Sequence, residues 1–114
     1  MREIKFRGRT ENGFWFNGYY LVNQWEEHTI CGYHDYDYRS DKVVPETIGQ
    51  YTGMKDSAGR EVYCGDVMEW TGEQSGRDVI KWDESRAAWC FLPIDIQDGK
   101  VVGNIWDDPT LIND

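Results

Sequence analysis

The sequence predicts a single, mostly β domain with a small barrel-like core and one or two short helical turns. Three observations lead to this fold class: apolar and polar residues alternate over short stretches, turns rich in Gly, Asn and Asp separate those stretches, and helical periodicity is nearly absent. A chain of 114 residues is the size of one domain, and six Trp, seven Tyr and four Phe supply much of its core. We therefore expect residues 1–114 to form one domain with an SH3-like or pseudo-barrel core of short antiparallel strands.

The amino-terminal third predicts two strands followed by an irregular segment. In REIKFR the alternation places Ile4 and Phe6 on one face, as in a half-buried strand. Asn12-Gly13 predicts a tight turn before FWFNGYYLV, a second strand with apolar residues on both faces. The stretch from Asn23 to Asp41 is polar, acidic and rich in tyrosine, and we expect it to be irregular or weakly paired.

The middle of the chain predicts one helical turn and several short strands. Pro45 opens the helical turn, and Gly49 is expected to end it in the left-handed conformation. Asp56 to Gly59 forms a turn, after which REVY and VMEW predict strands on either side of Gly65-Asp66. A polar loop, TGEQSGRD, then leads into the strand VIKW.

The carboxyl-terminal third predicts a central strand, a hairpin and a last helical turn. AAWCFLPI is apolar on both faces, which is typical of a strand inside a sheet. Asp98-Gly99, between IDIQ and KVVGNIW, favours a type I′ hairpin turn. Asp108 is placed to cap a final turn that begins at Pro109, so that Leu111 and Ile112 pack on the sheet.

Charge and hydropathy limit the location and the partners. The net charge of −9 disfavours binding along a phosphate backbone, although Arg2, Lys5, Arg7 and Arg9 make the first ten residues basic. No apolar run approaches a membrane span, and the amino terminus has charges where a signal peptide is apolar, so we expect a cytoplasmic protein without a membrane contact. The spacing of Cys31, Cys64 and Cys90 predicts neither a disulfide framework nor a zinc knuckle.

The block IGQYTGMKDSAGREVYCGDVMEW, residues 48 to 70, has the strongest fold signal. Its four glycines mark sharp turns or close approaches of the chain, and the residues between those turns that we expect to pack in the core are Tyr51, Tyr63, Val67 and Trp70. At Gly65-Asp66 the glycine permits a bend, and the aspartate can accept backbone N–H bonds at the entrance of a strand.

Together with MREIKFRG, VIKWDESRAAW and VVGNIWDDPTLI, this block resembles the YopX family of bacteriophage and prophage proteins. The resemblance covers most of the chain in order and is weakest between Asn23 and Asp41. It implies a mostly β fold with a small barrel-like core and a phage or prophage origin. It implies no catalytic residue and no cofactor.

Two kinds of chemistry have candidate residues in the sequence but lack the pattern that each requires. His28, Cys31 and His34, with Asp35 and Asp37 nearby, are competent zinc ligands, but the segment has no helix to gather them and lacks the paired spacing of structural zinc sites. No nucleophile signature surrounds the cysteines, and no phosphate-binding loop is present in the sequence. We expect neither an enzyme nor a metal or cofactor site.

The remaining hypotheses are binding functions. Acidity and a surplus of aromatic residues favour a non-enzymatic module that binds a host or phage protein, and a homo-oligomer is equally compatible. The alternative is a nucleic-acid-associated role in phage replication or regulation, with bases stacked on Trp70, Trp82 or Trp89. The first candidates for a ligand face are Tyr51, Asp66, Trp70 and Trp82. The second is the segment Asn23 to Asp41, because loops on a rigid core often carry function.

Overall fold

The computed structural model describes residues 4–34, 36–73, 75–83, 88–89 and 96–112. The protein is mostly β, as predicted. The strands are β1 Phe6–Arg9, β2 Trp15–Val22, β3 His28–His34, β4 Asp37–Lys42, β5 Gly49–Lys55, β6 Glu61–Tyr63, β7 Asp66–Trp70, β8 Gly76–Val79, β9 Trp82–Asp83, β10 Ala88–Trp89 and β11 Lys100–Asn104. Single 3-10 turns cover Pro45–Thr47, Ile96–Asp98 and Pro109–Leu111.

The chain divides into two compact units, residues 1–51 and 52–114, and β5 crosses the boundary between them. In the first unit the strands follow the order β4-β3-β2-β1-β5, and neighbouring strands in this order are antiparallel. In the second unit β7 lies between β11 and β8, β9 pairs with β10, and β6 pairs with β5. The single domain and the SH3-like or pseudo-barrel core remain predictions.

The first unit packs one face of its sheet around Ile30 and Val43, which are 2% and 3% exposed. Gly8 of β1 provides the room for this packing, because a Cβ atom there would lie 2.8 Å from Val43 Cγ2. Phe6 and Tyr20 extend the same face, with ring centroids 5.8 Å apart. The predicted packing of Ile4 is wrong: the strand begins at Phe6, and Ile4 is 61% exposed.

Three hairpin connections use the same five-residue turn, at Thr10–Phe14, Asn23–Glu27 and Asp56–Arg60. In each, the first residue donates its N–H to the carbonyl of the fifth, and the fourth donates to the carbonyl of the first, at 2.8–3.0 Å. The side-chain oxygen of the first residue accepts the N–H of the fifth at 3.1, 3.0 and 2.8 Å respectively. The first and third connections therefore share a residue with a side-chain oxygen at the first position, Thr10 or Asp56, and a glycine at the fourth, Gly13 or Gly59.

The fourth position of this turn requires a positive φ. Gly13 and Gly59 supply φ values of 90° and 81°, whereas Glu26 occupies the position with φ 60°. A residue with a Cβ atom in this region is strained by about 1 kcal/mol or more. The middle turn therefore carries a local cost that the other two avoid.

The segment from Asn23 to Asp41 is more regular than predicted. It contains the turn at Asn23–Glu27, all of β3 and most of β4, and the pairing runs without a shift from Thr29↔Lys42 to His34↔Asp37. The expectation of an irregular segment is wrong because polarity was taken for lack of pairing. A strand with polar residues on its exposed positions pairs as well as an apolar one, since the ladder is formed by the main chain.

The second unit has a core of six buried residues, which are Val62, Met68, Trp70, Ile80, Ile96 and Val101. Gly65, with φ 94°, lets the chain bend between β6 and β7. Its N–H donates to the carbonyl of Ile80 at 2.8 Å, and its carbonyl accepts the N–H of Ile105 at 3.0 Å. The Gly65-Asp66 signature is thus a fold element, as predicted.

Two expected turns differ from the structure. Gly49 does not end the helical turn, because Ile48 occupies the cap and Gly49 is the first residue of β5, opposite Arg7. Asp98-Gly99 does not form a type I′ hairpin, since Ile96–Asp98 is a 3-10 turn and Lys100–Asn104 pairs with β7. Residues 94–95 of the predicted first arm, and most of AAWCFLPI, lie outside the described residues, whereas Ile96 and Gln97 belong to the 3-10 turn.

The last helical turn is confirmed in outline. Asp108 accepts the N–H of Thr110 at 3.1 Å, and Pro109 occupies the first position. Leu111 packs on Gly103, where a Cβ atom would lie 2.7 Å from Leu111 Cδ1. Ile112 does not pack as expected and is 39% exposed.

Candidate binding surface

The residues first considered for a ligand face lie in the interior. Tyr51, Trp70 and Asp66 are 6%, 8% and 2% exposed. For Trp82 the structure gives the strand position in β9 and no side-chain environment. The three described side chains of this set therefore belong to the packed interior. A ligand face formed by the four residues remains a prediction.

Asp66 has a structural role that its burial makes clear. Its Oδ2 accepts the N–H of Tyr63 at 2.8 Å, which closes the turn around Gly65. The main-chain carbonyl of Asp66 also accepts the N–H of Ile80 at 2.8 Å. A buried carboxylate is tolerated because such donors satisfy it.

Asp56 is a second buried carboxylate with a structural role. Burial by itself raises the pKa of Asp56, but the N–H groups of Val101, Arg60 and Ala58 and the charge of Arg60 outweigh it and hold the pKa below its ordinary value. The three N–H···O distances are 2.9, 2.8 and 2.9 Å. Asp56 thereby ties the turn at its own position to β11.

Five of the exposed apolar residues lie on β2, on β4 and in the turns that join β2 to β3 and β3 to β4. This group, which we call the aromatic surface, consists of Tyr19 (69% exposed), Leu21 (53%), Trp25 (71%), Tyr36 (98%) and Tyr38 (59%). Exposed aromatic residues in one part of a chain are typical of an interaction site rather than of ordinary surface.

The strand register places three members of the aromatic surface on one face of the sheet. Tyr19 lies opposite Cys31, Cys31 lies opposite Ser40, and Leu21 lies opposite Thr29. Tyr38 precedes Ser40 by two residues and so shares that face. The side chains of Thr29 and Cys31 stay close to the main chain, between the larger side chains, because each donates to a main-chain carbonyl of β2. The Thr29 hydroxyl donates to Leu21 at 2.7 Å, and the Cys31 thiol donates to Tyr19 at 3.5 Å.

The other two members lie at opposite ends of β3, because consecutive turns of a meander alternate between the ends of its strands. Trp25 is in the β2–β3 turn and Tyr36 precedes β4. Each has a carboxylate as its next neighbour, Glu26 after Trp25 and Asp37 after Tyr36. Tyr36 has φ 75°, and this holds it at the turn with its side chain exposed.

The cations of this part of the sheet are already engaged by carboxylates. Lys42 Nζ lies 3.2 Å from Glu27 Oε2, and Arg39 Nη2 lies 3.4 Å from Asp41 Oδ1. A hydrogen bond from Asn23, followed by that from Lys42, lowers the pKa of Glu27 below its ordinary value. Between Trp15 and Lys42 there are five carboxylates and two cations, so the region carries net negative charge.

A second group of cations lies on β1, on the same face of the sheet as Tyr19. Lys5 Nζ lies 5.1 Å from the centroid of the Tyr51 ring, and Arg7 Cζ lies 4.8 Å from that of Trp15. Lys5, Arg7 and Arg9 are half-buried. Lys5 and Arg7 thus lie over the protein's own rings, and all three cations are less accessible than the carboxylates beside Trp25 and Tyr36.

Of the potential zinc ligands noted in the sequence, His28 and Cys31 are not brought together by the fold. His28 and Cys31 are three residues apart on β3, so they point to opposite faces of the sheet. His28 Nδ1 instead lies 2.5 Å from the hydroxyl of Tyr20. Among the residues that the structure describes, no three His, Cys, Asp or Glu side chains are placed to hold one metal ion. The side chain of His34 and all of Asp35 are outside the described residues.

Trp70 also lines a cleft of about 650 Å³ in the second unit. Gly76 and Leu111 form part of its wall, and Arg77 Nε lies 2.5 Å from Glu69 Oε2 at its edge. Arg77 further donates to the carbonyl of Leu111 at 3.3 Å. Glu69 and Arg77, the charged residues that line this cleft, thus form an ion pair with each other.

Sequence reasoning located part of the aromatic surface for a different reason. It singled out Asn23 to Asp41 as an irregular loop, whereas Trp25, Tyr36 and Tyr38 are presented there by paired strands and short turns. It missed Tyr19 and Leu21. The signal was the presence of apolar residues on both faces of FWFNGYYLV, because a sheet that packs on one face leaves the other face exposed.

Comparison with known proteins gives one family. A model of the family described as YopX protein matches residues 5–113 of the chain. A search of curated proteins finds no match. In the part of the chain that the structure describes, no helix has the length and apolar character needed to cross a membrane.

Proposed function

The chain belongs to the YopX family, and on that premise we propose that it is a non-enzymatic accessory protein of a phage or prophage that binds another protein through the aromatic surface. The partner is a host or phage protein with a basic surface. The observation that carries this proposal is the exposure of Trp25 and Tyr36, at 71% and 98%, each beside a carboxylate.

The chemistry of these two positions defines the partner. An exposed aromatic ring binds Lys or Arg side chains over its face, and a neighbouring carboxylate pairs with the same cations. Tyr19, Leu21 and Tyr38 add apolar contact area between the two turns. A protein with Arg or Lys around a small apolar patch complements this arrangement, and the net charge of −9 favours its fast association.

The polar groups with a defined environment support a role other than catalysis. Asp56 and Asp66 accept main-chain N–H groups within their own unit, and the His28 ring bonds to Tyr20. Each is committed to holding a turn or a strand pair. A catalytic acid or base needs instead to reach a substrate proton.

A nucleic-acid-associated role is the second candidate, and one observation favours it. Lys5, Arg7 and Arg9 share a face of the sheet with Tyr19, which is the combination of cations and stacking rings that single strands require. These cations are half-buried, whereas Glu26 and Asp37 are exposed. We therefore rank the protein partner first.

The proposal is tested by pull-down from bacterial host lysate with a double variant, Trp25→Ala/Tyr36→Ala. Both side chains are exposed, so we expect the variant to fold and to lose the partner. Each residue at a binding hot spot contributes about 2 kcal/mol, or about thirtyfold in affinity. Phe14→Ala is the matched control, because Phe14 is a 65% exposed aromatic residue in a different turn.

The supporting result is a stoichiometric protein that survives nuclease, is retained by the wild type and by Phe14→Ala, and is lost with the double variant. Retention that disappears with nuclease favours the nucleic-acid role and contradicts the first proposal. Equal retention by the double variant, or an empty wild-type bait, also contradicts it.

A further inference from the structure

We infer that two copies of this chain pair through β4, antiparallel about a two-fold axis at Ser40, so that two sheets become one. This inference does not rest on the proposed function. It starts from the position of β4, which is the terminal strand in the order β4-β3-β2-β1-β5-β6. Terminal strands can pair with another chain unless charge, proline or a bulge prevents it.

β4 has the length and the regularity that strand pairing needs, and the charges of Asp37, Arg39, Asp41 and Lys42 limit the registers in which it can pair. It has six residues, its pairing with β3 runs without a bulge, and positions 37 to 40 are exposed. The other terminal strands of the two larger sheets are β6, β8 and β11, with three, four and five residues, and the pairing of β11 has a register shift between Val101 and Gly103. Very short edges are one of the ways in which proteins avoid pairing, and β4 does not have this protection.

The main-chain groups of β4 alternate between its two sides. The N–H of Val43 donates to the carbonyl of His28 at 3.0 Å. The main-chain N–H and C=O groups of the odd-numbered residues of β4 therefore point toward β3. The N–H and C=O groups of residues 38, 40 and 42 consequently point away from β3. A second strand must therefore form its hydrogen-bonded pairs with even-numbered residues.

The register with its two-fold axis at Ser40 satisfies this requirement and also matches the charges. With Ser40 opposite Ser40 of the second copy, Tyr38 lies opposite Lys42, and both are hydrogen-bonded pairs. Arg39 then lies opposite Asp41 in the non-hydrogen-bonded pair between them, where side chains are closest. Two-fold symmetry repeats each contact, which gives two Arg–Asp pairs and two Tyr–Lys pairs.

The neighbouring registers are excluded by like charges. A shift of the axis to Arg39 places Arg39 opposite itself and Asp37 opposite Asp41. A shift to Asp41 places Asp41 opposite itself. Directly opposed like charges destabilise a strand pair. Within one copy, Arg39 Nη2 lies 3.4 Å from Asp41 Oδ1 on the same strand. In the dimer, each of the two side chains would exchange this contact for a partner on the opposite strand.

The test is a charge swap read out by analytical ultracentrifugation of the full chain at about 100 µM. We expect the wild type to dimerise, because opposite charges face each other in this register. Arg39→Asp and Asp41→Arg should each weaken association at least tenfold, because symmetry introduces two like-charge pairs. The double swap Arg39→Asp/Asp41→Arg should restore it, and so should an equimolar mixture of the two single variants.

Two further variants cover the case in which a charge change disturbs folding. Ser40→Pro removes an N–H that points away from β3, so it should abolish the dimer while thermal unfolding stays cooperative. Ser40→Cys should form a disulfide-linked dimer, since hydrogen-bonded pairs have Cα atoms about 5.5 Å apart. Ser57→Cys, in an exposed turn of the second unit, is the control.

Restoration by the mixture, with cross-linking at Ser40→Cys and not at Ser57→Cys, supports the inference. A monomeric wild type at this concentration overturns it. A dimer that is indifferent to Ser40→Pro and to the charge swaps also overturns it, since its interface would then lie elsewhere.

Discussion

Asp56→Asn tests whether a buried carboxylate holds the turn at Asp56–Arg60 to β11. The amide can keep the Oδ1 contacts with Ala58 and Arg60, but it places an NH2 group against the N–H of Val101, where Oδ2 now accepts at 2.9 Å. The variant therefore loses one charge-assisted hydrogen bond and weakens two others.

The expected cost is about 3 kcal/mol in the free energy of unfolding, because hydrogen bonds to charged groups contribute about 1.5–3 kcal/mol each and an opposed donor remains. For a chain of this size that corresponds to a fall in Tm of about 10 °C. Urea denaturation at pH 7 measures the difference. Asp98→Asn, an exposed carboxylate in the same unit, is the control and should change stability by less than about 0.5 kcal/mol.

The pH dependence gives an independent check on the same residue. Hydrogen bonds hold the folded pKa of Asp56 below its ordinary value of 3.8, so its contribution is present above about pH 4. It is lost as the pH falls through the folded pKa. The stability gap between wild type and Asp56→Asn should therefore narrow toward pH 3. A gap that stays constant from pH 7 to pH 3, or a cost below about 1 kcal/mol, would refute the reasoning.

Three further substitutions test the fold. Glu26→Gly should stabilise by about 0.5–1 kcal/mol, because relief of the left-handed strain exceeds the entropy cost of glycine, and a lower Tm would contradict the shared turn. Gly8→Ala should cost about 1–3 kcal/mol by overpacking against Val43, and unchanged denaturation would refute that contact. Asp66→Ala should cost about 2–3 kcal/mol by leaving the Tyr63 N–H without its acceptor, and chemical denaturation measures it.

The sequence predicted those turns that are closed by hydrogen bonds between residues only a few positions apart. The bend at Gly65-Asp66, the capped turn at Asp108 and the turn at Asp56 to Gly59 were all predicted, because each is closed by its own side chain and a glycine or proline. The burial of Tyr51 and Trp70 followed from their position between such turns.

The pairing of β3 with β4, the conformation of Gly49 and the exposure of the aromatic surface were not predicted. β3 and β4 are polar in sequence, and their pairing is fixed by main-chain bonds to neighbours, which leave no mark on composition. Gly49 had the residue type of a helix cap, but its pairing with β1 decided its conformation. The aromatic surface could not be separated from core in the sequence, because exposure depends on which face of the sheet is covered.

The most direct test of the account is the affinity of the retained partner for the wild type and for Trp25→Ala/Tyr36→Ala, measured by titration calorimetry at two salt concentrations. The account predicts that the double variant binds at least a hundredfold more weakly and that salt weakens the wild-type complex, because cations of the partner meet Glu26 and Asp37. Equal affinities for the two proteins, or binding that does not change with salt, would contradict it.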